Sequence, residues 1–415
     1  MKKHFLPSAL ALFLGVVLQA QNTGKTYAFK NGQWYDGKGF VTANWYSSNG
    51  QLTKKAPAKV DSVIDLQGKW VVPAFGDAYC SSVSENPSAA NTLGMYMGEG
   101  VFYLQIMGNT QEGRSSTAPL VNKATAPDAL FSNGSITCSL GYPFLRYEGP
   151  ANKIKNPAHW GERYGELKLS QKMLGNGYWF VDNQDALNAN WEKIRAQSPD
   201  ILLIYLLDAA QNGGKEGKGL SAEMAKAVIK KAHKSGLRVF AHVETADDLR
   251  LAVKLGVDVL ANLPGNNWDG NGDTKKYELS DADLKMLAKK KTPVIPLLSQ
   301  AQSAASAKPE IKAFHAKTLS RLFDAGVTVA IGSDDMQRTL RSELNYWFSF
   351  DNFDHARALK SMCEHSPKVI FPKRKVGKIE EGFEASFLVL GDDPTTNVLK
   401  TRVADFKVKN GHLIK

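Results

Sequence analysis

Between Ser221 and Asp334 the chain repeats one alternation four times, an amphipathic helical pattern followed by a short β-rich run. Ser221 to Ser235 leads to Gly236-Leu-Arg-Val-Phe-Ala-His-Val243, and Ala246 to Leu255 leads to Gly256-Val-Asp-Val-Leu-Ala-Asn262. Asp281 to Lys290 leads to Thr292-Pro-Val-Ile-Pro-Leu297. Ile311 to Ala325 leads to Gly326-Val-Thr-Val-Ala-Ile-Gly-Ser-Asp334. A helix between two strands returns the chain to the same end of the sheet, so such a repeat predicts a parallel α/β barrel or a doubly wound sheet.

The flanks read differently. Residues 27–70 alternate apolar and polar groups between the turn signals Lys30-Asn-Gly, Tyr35-Asp-Gly and Ser48-Asn-Gly, which predicts a small antiparallel sheet. Ala385 to Leu390 and Asp405 to Gly411 repeat that style near the C-terminus. Met1 to Ala20 reads as a secretory signal: Lys2 and Lys3, the apolar run Leu10 to Leu18, then Leu18-Gln-Ala20 as a cleavage site before Gln21. The run is shorter than the ~20 residues of a membrane span, so the expectation is an exported protein, periplasmic or extracellular, with no span.

The formal net charge of +11 is dispersed. Lys226, Lys230, Lys231 and Lys234 share one helix and Lys289 to Lys291 end another, as solvated faces do. No arginine–aromatic block marks a nucleic-acid surface. Cys80, Cys138 and Cys363 allow one pair at most and lack metal-knuckle spacing, so they read as small buried apolar groups. Gln211-Asn-Gly-Gly-Lys-Glu-Gly-Lys-Gly219 lacks the order of a phosphate loop and reads as a flexible loop at the mouth of the fold.

Val71-Val-Pro-Ala-Phe-Gly-Asp-Ala-Tyr-Cys-Ser-Ser82 resembles the first barrel strand of the amidohydrolase superfamily, V-x-P-G-[FL]-I-D-x-H-x-H, with Tyr79 and Ser81 at the two histidine positions. The tail from Val376 to Pro394 is similar to that family's closing G-x-[IL]-x-x-G-x-x-A-D-[FL]-V-[VL] segment, with Ser386 where Asp is usual. The imidazolonepropionase-like branch is the nearest. The resemblance implies a (β/α)8 TIM-like barrel over 71–375. It also implies a small composite β-sandwich built from 21–70 and 376–415, and a hydrolase of C–N bonds that uses a divalent metal such as zinc.

That family draws its metal ligands from six positions. Here they are Tyr79 and Ser81 on strand one, Leu203 on strand four, His242 on strand five, Asn262 on strand six and Asp334 on strand eight. Only His242 and Asp334 keep a ligating side chain, whereas an open zinc site takes three. Glu244 shares the inward side with His242 and could join it and Asp334 as a composition-only triad. Cys80 should face the helices.

His242 and Asp334 are therefore the candidate catalytic residues, and Tyr79, Ser81, Asn262 and Glu244 the candidate substrate-binding ones. No metal ligand and no cofactor are assigned. His242 also suits a hydrogen-bonded core histidine, and Asp334 a cap or a partner of His242. Tyr79 suits a filler of the emptied metal volume. Ser81, His242 and Asp334 have the composition of a nucleophilic triad without a nucleophile elbow. His233, His315, His355 and His365 fall in predicted helices and read as scaffold. Two functions follow. One is a hydrolase impaired by loss of its metal. The other is a metal-free binding or partner protein that takes a small-molecule ligand and pairs with an active amidohydrolase or with itself.

Overall fold

The computed structural model describes residues 25–83 and 88–414; the segment 1–20, read above as a secretory signal, lies outside them. The predicted helices form at Ala222–Lys234, Ala246–Leu255, Asp281–Lys290 and Pro309–Asp324. Their starts follow from local chemistry. Ser221 accepts from the Met224 amide, and Thr245 and Ser280 each close a capping box with an aspartate three residues on. Such caps satisfy amides that the first turn leaves without partners, at about 1 kcal/mol each.

Eight parallel strands close into a barrel. The first three are Phe75–Cys80, Val101–Ile106 and Asp128–Phe131, the last continued after a break by Ser135–Thr137. Ile136 pairs with Ile204 of the fourth strand, Ile201–Leu206. Arg238–Val243, Val259–Ala261 and Val294–Ile295 follow in sequence order. The eighth is the extended run 327–334. Val294 N donates to Thr328 O, Ala330 N to Val294 O, Ala78 N to Ile331 O and Asp334 N to Tyr79 O. Those bonds join the last strand to both its neighbours and leave no open edge. Asp77, fully buried on the first strand, strengthens the closure by accepting from the Ser333 amide and hydroxyl and from Tyr96.

The terminal segments meet as expected, in one mixed sheet. Trp70–Pro73 runs antiparallel to Phe387–Leu390, which pairs with Phe406–Lys409. The 27–70 segment is not purely antiparallel. Tyr27–Tyr35 pairs antiparallel with Phe40–Ser48 but parallel with Ser62–Asp65 and Trp70–Pro73. The two parallel partners lie end to end along it, Ser62–Asp65 on Tyr27–Lys30 and Trp70–Val71 on Gln33–Trp34, while the antiparallel pairing shifts register between Phe29 and Gly32. Phe29, Trp34, Trp45, Val71 and Phe387 form a core separate from that of the barrel. The sheet docks near the starts of the barrel strands, where Lys409 reaches Asp128 at 2.7 Å. The ends of the strands are left open.

All three cysteines are free and buried. Cys80 points outward as expected, its sulfur 3.3 Å from the Tyr96 hydroxyl of helix Ala89–Gly98. Among the described residues, no helix is long and apolar enough to cross a membrane.

Candidate functional site

Strand alternation carries Tyr79, His242 and Asp334 to the mouth, and all three are buried, as are Ser81 and Asn262. The Ser81 hydroxyl donates to Asp334 Oδ1 at 2.7 Å, joining positions far apart in sequence. His242, Glu244, Asn262 and Asp334 line one cavity of 170 Å³ together with Tyr142, Arg146, Asn266 and Gln300. Leu203 is fully buried and pairs with Phe240, so it sits one inward layer below the mouth. The fourth-strand residue level with His242 is Tyr205, whose ring centroid lies 5.2 Å from the imidazole.

The group that sequence reasoning missed is Arg146. It rides on the short helix Phe144–Ala151 that follows the third barrel strand, and its Nη2 lies 3.8 Å from Asp334 Oδ1. The same nitrogen contacts the Met336 sulfur at 3.1 Å. Burial works against its charge, but Asp334 holds the guanidinium firmly protonated. Glu148, fully buried two residues on, fixes the helix by accepting from Tyr178 Oη at 2.8 Å, the Met173 amide at 2.7 Å and Ser170 Oγ at 2.9 Å. Nothing in the local pattern around Arg146 distinguishes it from a surface arginine.

Other mouth residues are held as firmly. The Glu343 carboxylate accepts from the Leu298 and Ser299 amides, and the turn it shapes places Gln300 to donate to the Asp334 carbonyl. The Asn262 amide nitrogen donates to Val243 O at 2.9 Å and its oxygen accepts from Asn266, so this side chain braces two strand ends. Glu244 turns toward Lys218 at 3.7 Å, on the Gly-rich loop that does lie at the mouth.

His242 is not a hydrogen-bonded core histidine at Nδ1, which is buried without a partner among the described residues. Nor does Asp334 pair with it; Asp334 takes Ser81 and Arg146 instead. A Ser81–His242–Asp334 relay is excluded in this arrangement because the serine donates to the aspartate directly. Burial raises the Asp334 pKa, with Arg146 and Ser81 acting in the opposite sense. Burial, reinforced by Arg146, lowers that of His242 from 6.5 to about 3. Tyr79 is kept protonated by burial first and by Tyr205 and Asp334 next.

His242 gives a pH prediction. Its folded pKa lies below its unfolded one, so the stability it permits is complete above 6.5 and is lost as pH falls toward 3. The limiting slope is about 1.4 kcal/mol per pH unit. In urea unfolding at pH 7, 5 and 4, His242→Gln should lose less stability on acidification than the parent. Equal losses would refute the neutral imidazole.

A divalent metal does not fit this residue set. Among the described residues no three His, Cys, Asp or Glu side chains converge on one point. The carboxylate best placed to bind a cation already has a guanidinium 3.8 Å away.

The family model described as "Amidohydrolase family" matches residues 157–413, a span that begins after the first barrel strand. No curated protein matches the chain. Among solved structures, an amidohydrolase superposes with a TM-score of 0.68 at 19% identity, covering 94% of this chain and 99% of the other. An A. niger ochratoxinase gives 0.70 at 15% identity, over 94% and 96% of the two chains. Molinate hydrolase gives 0.71 at 15%, over 94% and 95%. At these identities the superpositions speak for the fold.

Proposed function

The chain belongs to the amidohydrolase family, and within it we propose a member whose barrel mouth has exchanged metal-dependent hydrolysis for metal-free recognition of a small molecule. The observation that carries this reading is the contact between Arg146 and Asp334. A fixed positive charge stands beside one of the two retained ligand positions, and Ser81, from a lost position, holds the same carboxylate. A metal hydrolase lowers the pKa of bound water by concentrating positive charge on one oxygen. A guanidinium cannot ligate water, but it orients and neutralises an anion through several N–H donors.

The inherited activity would be cleavage of C–N bonds. Similar folds include a prolidase complexed with N-methylphosphonate-L-proline and a Xaa-Pro dipeptidase with methionine bound in its active site. The reading puts that chemistry out of reach here for want of ligands. The leader at 1–20 supports placing the protein outside the cytoplasm, where its ligand would be a solute of the periplasm or the medium.

Metal analysis tests the reading. Protein purified without chelators should hold zinc, manganese and iron far below stoichiometry, and added zinc should not switch on cleavage of dipeptides or cyclic imides. Stoichiometric metal that is lost on Glu244→Ala would overturn it in favour of a site built from His242, Glu244 and Asp334.

A further inference from the structure

A second cavity opens on the other side of Arg146. It encloses 380 Å³ and is walled by Met107, Tyr147, Pro150, Ala151, Met173 and Met336, with Ser81 and Thr110 among its polar rim. Arg146 is the only charged side chain on its described wall; Asp334 lines the polar cavity and not this one. Among the described residues the guanidinium contacts Asp334 and Met336, both through Nη2. Nε and Nη1 accordingly keep donors to offer among the described residues.

We propose that this cavity binds a small amphipathic carboxylate, its head on Arg146 and its apolar body among Met107, Met173 and Met336. The identification deepens the metal-free reading and rests on it. An apolar chamber of a few hundred Å³ with one convergent charge is the usual form of a small-ligand site. A single half-buried cation on such a wall selects an anion, and a guanidinium presents its donors in the planar fork that a carboxylate matches. Thioether side chains adapt to an apolar body of unfixed shape, which suits a flexible chain better than a rigid ring. The Ser81 hydroxyl, anchored on Asp334, marks the border between the apolar chamber and the acidic one. Beyond it Glu244 and Asp334 would repel the carboxylate, so the head stays at Arg146 and the tail turns away from His242.

Calorimetric titration of the whole protein with octanoate, octylammonium and acetate tests this. Octanoate should bind at one site, acetate more weakly and octylammonium not at all. Arg146→Met, which keeps the apolar stem, should weaken octanoate roughly 10- to 100-fold, the usual effect of losing a charged hydrogen bond. Ala151→Phe fills the chamber without touching the guanidinium and should abolish octanoate binding. Thermal melts of both variants establish that they fold. Equal binding of octylammonium, unchanged affinity in folded Arg146→Met, or no octanoate binding by the parent would each overturn the proposal. A repeat after chelator treatment separates it from the reading beneath. Octanoate binding that disappears with extracted metal would sink the metal-free site itself.

Discussion

If the mouth is metal-free as proposed, installing the family's ligand set should give the chain a zinc affinity that the parent lacks. The variant combines Tyr79→His, Ser81→His, Leu203→Lys and Asn262→His, with Arg146→Ala to remove the competing charge. The backbone already meets the geometric demand at one of these positions, and the retained His242 adds a second ligand. Ser81 Oγ and Asp334 Oδ1 are 2.7 Å apart, so an imidazole at 81 would lie beside the carboxylate. His242 brings a neutral ring with a buried nitrogen that has no partner, which is the form a metal binds.

Leu203 is the instructive case. It sits two residues before Tyr205, the neighbour of His242, hence ~6.6 Å deeper along the strand. A leucine cannot reach the mouth from there, whereas a lysine stem can. A complete set of ligands binds zinc with apparent free energies of ~10–16 kcal/mol, so affinity should rise by roughly three orders of magnitude or more over the parent. Equilibrium dialysis against zinc would measure it. A variant that melts cooperatively yet holds zinc no tighter than the parent would mean that the strand ends have moved from the ligating arrangement. The loss of metal chemistry would then lie in the backbone as well as the side chains.

The second large effect lies at the opposite end of the barrel. Asp128, at the start of the third strand, accepts from Lys409 at 2.7 Å and from Arg374 at 2.8 Å, and Arg374 also grips Glu384 at 2.6 Å. Lys409 belongs to the terminal sheet and its side chain is only 4% exposed. Asp128→Ala leaves that ammonium buried without its counter-ion. Removing one partner of a buried pair typically costs 3–5 kcal/mol, chiefly because the other charge stays behind, and about that loss is expected in urea unfolding. The double variant Asp128→Leu with Lys409→Met removes both charges and should recover most of it. A loss below ~1 kcal/mol in Asp128→Ala would show that water reaches Lys409 and that the cluster does not hold sheet to barrel.

That cluster also shows where sequence reading stops. The alternating patterns of 27–70 and 385–411 predict strands, and too few in either segment to bury a face alone, so their union was legible. The partner of Lys409 was not, because an ion pair across 281 residues leaves no periodic trace.

The mouth divides in the same way. Period-two alternation placed Tyr79, His242 and Asp334 inward and Cys80 outward, since successive side chains of a strand face opposite sides whatever the strand pairs with. A parallel α/β fold follows from the same local rules, whereas its closure into a barrel and the list of ligand positions were legible only through the resemblance to the amidohydrolase pattern. Tertiary structure alone decided what stands beside Asp334. Arg146 comes from a connecting segment, where no period constrains direction, and it reaches Asp334 only because the Glu148 cluster fixes its helix and the eighth strand closes on the first. Register between strands set Tyr205, not Leu203, beside His242. Chain chemistry dictates which way a strand residue points; barrel closure and the packing of loops dictate which residues then meet.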